Sequence, residues 1–258
     1  MLKLGLSVAA VVMLATSSMA IAGEPYVGAS AGVNIQSNSK NKGTFTTTVP
    51  ATAAFPEIAS GTSLGWTTEF DKGLDLNLLG GYRFDNGLRV ELQGVYNRAG
   101  VDRHSNLAVG GTVIDAVDSA VLTRGVPAAT NPTVGQVLST DKGKIKSLGV
   151  FGNMLYDIKV SDKFVPYLGA GIGFSRTDVR YNPSAVAVVN DKKTVFAYQA
   201  IAGATFKVSP SFELFGQYAY RDANRAKTNV TLVPATLDVK SKQSIFNVGF
   251  RIPFGGGE

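Results

Sequence analysis

Residues 147–157 read Ser-Leu-Gly-Val-Phe-Gly-Asn-Met-Leu-Tyr-Asp, and residues 164–175, beyond a short polar turn, read Phe-Val-Pro-Tyr-Leu-Gly-Ala-Gly-Ile-Gly-Phe-Ser. Every second position groups Leu148, Val150, Gly152, Met154 and Tyr156 on one face, continued after the turn by Pro166, Leu168, Ala170, Ile172 and Phe174. The other face carries Ser147, Gly149, Asn153 and Asp157, then Tyr167, Gly169, Gly171, Gly173 and Ser175. A period of two means strands, because successive side chains point to opposite sides of a sheet. In a soluble sheet the second face would be charged. Here it is small and polar, and three alternating glycines weaken a strand unless something must come close. A narrow barrel in lipid supplies that need: its inward face must be small, and its outward face is apolar because hydrocarbon is its solvent.

The same alternation marks six further strands. The first, over residues 26–35, nearly repeats the fifth: Tyr26-Val27-Gly28-Ala29-Ser30-Ala31-Gly32-Val33 against Tyr167-Leu168-Gly169-Ala170-Gly171-Ile172-Gly173-Phe174. The others lie over 74–84, 88–97, 195–207, 212–221 and 246–254. Asp85-Asn86-Gly87 is a tight-hairpin signal. Eight strands is an even count, each long enough to cross a bilayer at a tilt. The connections alternate: short at 85–87, 159–163 and 208–211, long at 36–72, 99–143, 176–194 and 222–242. That is the pattern of short periplasmic turns and long outer loops, and structureless loops of this length are uncommon in a compact soluble domain. The fold class expected is all-β, an eight-stranded antiparallel up-and-down transmembrane barrel with four long outer loops.

Composition agrees. Charged residues make up only 17% of the 258, with 29 glycines, no cysteine and a single histidine, His104. The missing cysteines exclude disulfide frameworks and make a His/Cys metal site implausible. Lys3, the apolar run over 4–15 and Ala20-Ile21-Ala22 predict a secretory leader over 1–22 and a barrel domain over 23–258. A net charge of +6 fits either ordinary solubility or contact with lipopolysaccharide and other lipid phosphates.

The stretches over 164–173, 196–203 and 244–254 resemble the small outer-membrane barrels of the OmpA-like and opacity-protein group, the porin-family barrel domain. Asn153 to Asp157 with Pro166 to Gly173 is similar to that group's central hairpin. The resemblance covers the strands, about half the chain. It implies an outer-membrane location in a Gram-negative cell, with the loops facing outward. It also implies insertion by the outer-membrane assembly machinery through a signal in the last strand, Asn247, Gly249, Ile252 and Phe254. The group usually stops at its final aromatic, whereas Gly255-Gly256-Gly257-Glu258 follow here. The anchoring role of members with a peptidoglycan-binding domain is not expected to carry over.

Candidate sites fall into three sets. The inward charges Asp75, Arg83, Arg89, Glu91, Asp157, Glu213, Arg221 and Arg251 form either an ion-pair plug or the gate of a narrow pore, since buried charge persists only when paired. Val49-Pro50-Ala51, Val126-Pro127-Ala128 and Val233-Pro234-Ala235 recur in three loops. They either pack together or expose an apolar patch that meets a host or neighbouring-cell protein. His104, flanked by Asp102 and Ser105, is the weak trace of a hydrolase. No phosphate loop, metal spacing or nucleic-acid module is present, so no cofactor and no nucleic-acid partner are expected. The function expected is a surface-exposed, non-enzymatic barrel with a structural, antigen or adhesin role. A narrow channel is the alternative, and a lipid-modifying enzyme comes third.

Overall fold

The computed structural model describes residues 23–139, 143–181, 189–230 and 233–254. The expected leader, residues 1–22, lies outside them. Strands run in chain order: β1 Gly23–Gln36, β2 Ser39–Phe45, β3 Ser63–Phe70, β4 Gly73–Phe84, β5 Leu88–Val109, β6 Thr112–Val113, β7 Lys144–Asp157, β8 Phe164–Tyr181, β9 Val189–Ser209, β10 Phe212–Val230 and β11 Ala235–Pro253. Two short helices, α1 Ala120–Thr123 and α2 Val134–Ser139, lie between β6 and β7. Eight antiparallel strands, β1, β4, β5, β7, β8, β9, β10 and β11, close into a ring, the seam being made by β1 on β11. Tyr26 faces Pro253 at one end of that seam and Gln36 faces Gln243 at the other.

Closure satisfies the backbone, and lipid sorts the side chains. Leu78, Leu148, Val150, Met154, Leu168, Ile172 and Val248 point outward with no protein cover. Aromatic pairs bracket this belt: Tyr82–Phe84 and Phe212–Phe250 at the periplasmic rim, Phe174–Phe196 and Tyr218–Phe246 at the outer one. Amphipathic rings sit at such interfaces.

Two expectations need correction. The interior is not only small and polar, for Phe151, Leu155, Tyr26, Tyr167, Phe215 and Ile201 are buried in it. The glycines explain how they fit. A Cβ at Gly81 or Gly203 would come within 2.5 Å of the Tyr26 or Tyr167 ring, and one at Gly249 within 2.6 Å of Phe215. One at Gly173 would meet Phe151 at 2.8 Å. Each of these rings therefore occupies the space that a side chain would fill at a glycine of a neighbouring strand.

The long connections are also not structureless. β5 runs twelve residues past the expected end at 97, and β8 to β11 likewise continue. β1 and β2 form one interrupted strand, as do β3 and β4. Above the bilayer β2 takes over pairing with β11 and β3 with β5. The ring thus extends upward as a crown, since the ladder hydrogen bonds need not stop where lipid stops.

Candidate functional site

The lumen is filled in layers. At the periplasmic mouth Arg83 binds three carboxylates: Glu24 at 2.5 Å, Asp157 at 3.0 Å and Glu213 through two parallel bonds of 2.8 Å. Such a fork to a carboxylate is among the strongest charge-assisted arrangements. Glu24 was not among the expected charges. Above it, Arg89 lies 3.2 Å from Asp157 and 4.5 Å from the Tyr167 ring centroid. Arg251 stacks on Phe215 at 3.8 Å, donates to Thr205 Oγ1, and sits 3.9 Å from Glu91. Glu91 in turn accepts from the Tyr26 hydroxyl and from Asn153.

Asp75 and Arg221 are not drawn into this cluster. They stand at the two ends of a relay of neutral amides. Arg221 donates to Gln199, Gln199 to Gln93, Gln93 to Asn77, and Asn77 to Asp75, which also accepts from Asn247. All eight expected charges thus lie inside the barrel, six in one cluster and two on a relay of amides that alternation alone had marked only as inward-facing. An eight-stranded lumen has room for these side chains and little else.

The crown has a core of its own. Phe45, Leu64, Leu107 and Leu237, inward-facing where the same strands lower down carry polar groups, are buried together with Val134 and Leu138 of α2. Local capping fixes the helical lid: Thr133 and Gln136 exchange the reciprocal bonds of a capping box at the start of α2. Asp118 accepts from the Ala120 and Ala128 amides, which hold its carboxyl below the usual range. Between lid and strands lies a cavity of about 800 Å³.

The recurring Val-Pro-Ala segments meet here. Val49, Val126, Val233 and Pro234 line this cavity. Val49 and Val233 also pack on the crown core, while Val126 is 85% exposed. Pro50 supplies a carbonyl to Arg124, and Pro127 is exposed. At the lower end of β11, Phe254 donates its amide to Pro25, with Asn247 and Ile252 on opposite faces of the strand.

His104 is buried at the base of the crown, sharing a hydrogen bond of 2.9 Å with Thr68 Oγ1. Ser105 Oγ accepts from Asn106 instead. Burial lowers the imidazole to about 4, so it is neutral at pH 7. The unfolded chain binds a proton below pH 6.5 that the folded crown refuses until about pH 4. Crown stability is therefore unaffected at neutral pH and falls by roughly 3 kcal/mol as pH drops through that window. Trp66, the sole tryptophan, stands edge-on to His104 at 6.3 Å. Its fluorescence should be quenched by the imidazolium with a midpoint near pH 4 and not near 6.5, and His104→Phe should remove the transition.

Just beyond the outermost lipid-facing side chains, Arg98, Lys144, Lys146, Arg176, Lys240 and Lys242 project outward around the barrel. Arg98 and Lys146 are direct partners on β5 and β7, and Arg176 faces Leu148 on the next pair.

Comparison with known proteins agrees with this architecture. A family model described as "Outer membrane protein beta-barrel domain" matches residues 6–251. A curated "Outer membrane protein" of Gluconacetobacter diazotrophicus is 29% identical over 150 residues, which are 54% of this chain and 32% of that protein. The chain spans about a third of the length of that relative. Among solved structures, the outer membrane protein OprG from Pseudomonas aeruginosa has a TM-score of 0.59 at 16% identity, covering 91% of this chain and 97% of its own. Neisserial surface protein A aligns over 88% and 96% with a TM-score of 0.44 at 16% identity. The protease OmpT from Escherichia coli aligns over 93% and 99% at 0.40 and 8% identity.

Proposed function

The chain belongs to the outer membrane protein β-barrel family, and from that premise we propose that its crown, and not its lumen, is the working surface. In this reading it is a surface-exposed barrel of the outer membrane with a structural, antigen or adhesin role. The observation that carries it is the pairing of a filled lumen with strands that continue above the lipid around a packed core. A barrel that only sealed a membrane would have no need for such a head. The outward ring of Arg98, Lys146 and Arg176 is placed for lipid and lipopolysaccharide phosphates, which would seat the crown at the leaflet surface. Insertion by the assembly machinery through Asn247, Gly249, Ile252 and Phe254 belongs to the same proposal. No catalytic role is assigned to His104, whose imidazole is neutral and engaged by Thr68.

Moving the crown segments, 36–73, 98–144, 176–194 and 222–243, together onto an inert eight-stranded barrel tests the reading. Cells displaying the chimera should adhere to host or neighbouring cells as the parent does; adhesion by neither would retire it. A narrow channel is the second reading, supported by a vestibule of about 280 Å³ at the periplasmic mouth, lined by Glu24, Arg83, Asp157, Lys159 and Lys207.

A further inference from the structure

We propose that the crown cavity is a binding site for one small, uncharged, largely hydrocarbon molecule taken from the medium outside the cell. The site does not depend on adhesion by the crown's outer surface.

Size is the first argument. About 800 Å³ falls within the range of cavities that enclose drug-sized ligands, and far exceeds the voids left by imperfect packing. Lining chemistry is the second. Leu64, Trp66 and Leu107 form the strand wall, and Val121, Leu122 and Leu138 the helical one. Filling this space with hydrocarbon would take apolar wall surface out of water and add dispersion contacts.

Charge is the third. His104 at the base is neutral because burial holds its proton affinity down to about pH 4. Arg124 is the cation among the lining residues. Its guanidinium already donates to the carbonyls of Pro50, Phe55 and Pro56 and lies over the Phe55 ring at 5.4 Å. All three bonds leave from Nη2, and Nε, buried without an acceptor among the described residues, is the one buried cationic donor left at the wall. A charged guest would meet at most that donor against the full cost of its desolvation. Trp66 Nε1, which has no acceptor among the described residues, gives the wall a hydrogen-bond donor suited to a hydroxyl or carbonyl.

The cavity is a receptor pocket and not a conduit. Below it, Thr68 links His104 to Asn41, Asn34 bonds Asn97, and Arg221 caps Phe151 at 4.4 Å. A guest entering from outside meets this polar floor.

Trp66, on the cavity wall and above the bilayer, reports occupancy directly. The full barrel in phosphatidylcholine nanodiscs is titrated with 10-bromodecanol, whose bromine quenches tryptophan on contact. Saturable quenching is expected, at least tenfold weaker in affinity for 10-bromodecanoate and for Ala120→Phe, which fills the cavity from α1. Val126→Arg, at an exposed position on the cavity wall, should weaken binding without touching the core. Unboiled electrophoretic mobility shows that each variant is a closed barrel. Absence of saturation, or equal quenching in Ala120→Phe, overturns the proposal. Quenching by discs of brominated-chain phosphatidylcholine would overturn the external source, since the cavity would then hold an acyl chain of the bilayer.

Discussion

Replacing Arg83 by alanine is expected to lower the stability of the barrel by about 3 kcal/mol, because removing one partner of a buried ion network leaves uncompensated charge behind. The three carboxylates that Arg83 holds would face one another across the periplasmic mouth. Glu213, the deepest of them, is 2% exposed at its side chain, and Asp157 only 6%. Arg83→Lys should recover only part of the loss, since an ammonium cannot make the two parallel hydrogen bonds to Glu213. The measurement is urea-induced unfolding in lipid vesicles, read by the shift of band position on unboiled gels. Planar-bilayer recording of the same variant separates the two functional readings. Arg89 and Arg251, stacked on Tyr26, Tyr167 and Phe215, still close the lumen above the vacancy. No stable conductance steps are therefore expected; their appearance would favour the channel.

Gly203→Val should be comparably damaging, while Gly216→Val, on the adjacent strand, should not. At Gly203 a Cβ would lie 2.5 Å from the Tyr167 ring and 2.6 Å from the Gly216 carbonyl oxygen. Tyr167 can yield only by leaving its bonds to Gln217 and Arg251, so the cost is put at about 3 kcal/mol, the upper end for overpacking. At Gly216 nothing lies within 4 Å, and the new side chain would enter lipid. There a β-branched residue should be neutral or stabilising by up to about 1 kcal/mol. Equal effects at the two sites would refute the account of rings resting on glycines.

These contrasts show what the sequence displays and what it hides. Within the bilayer two solvents sort the side chains, so Leu148 to Tyr156 and Leu168 to Phe174 declare both the strands and their faces. The inward charges were readable for the same reason, being polar residues in step with glycine. Phe151 and Leu155 break the small-and-polar rule, and their explanation lies on other strands, where no period in one segment can reveal it. Above the lipid the sorting rule itself changes. On β5 the buried residues are Val101, His104 and Leu107, spaced by three, because register shifts against β3 and the left-handed Asn106 re-phase the strand. Buried residues still alternate through Ala99 and Val101, but the outward positions Arg98, Gly100 and Asp102 are no longer apolar, so a search for greasy alternation stops at Asn97. Glu24 was invisible for another: it precedes the alternating stretch and reads as the first charge beyond a leader.

The upward continuation of the ladder also says where foreign sequence could be tolerated. The perimeter stays hydrogen-bonded past the interruption near residue 37, where the Ser37 amide donates to Lys242 and Ser39 Oγ to the Lys240 carbonyl. Near residue 71 the Asp71 amide donates to Gly100 in the same way. A peptide spliced into either place would cut rungs and unzip the rim. One carried at Ala53-Ala54, beyond the last rung of the β2–β3 pair, would spare those rungs, provided Pro50, Phe55 and Pro56 keep their bonds to Arg124. That tip is the natural mount for displaying an epitope on a cell.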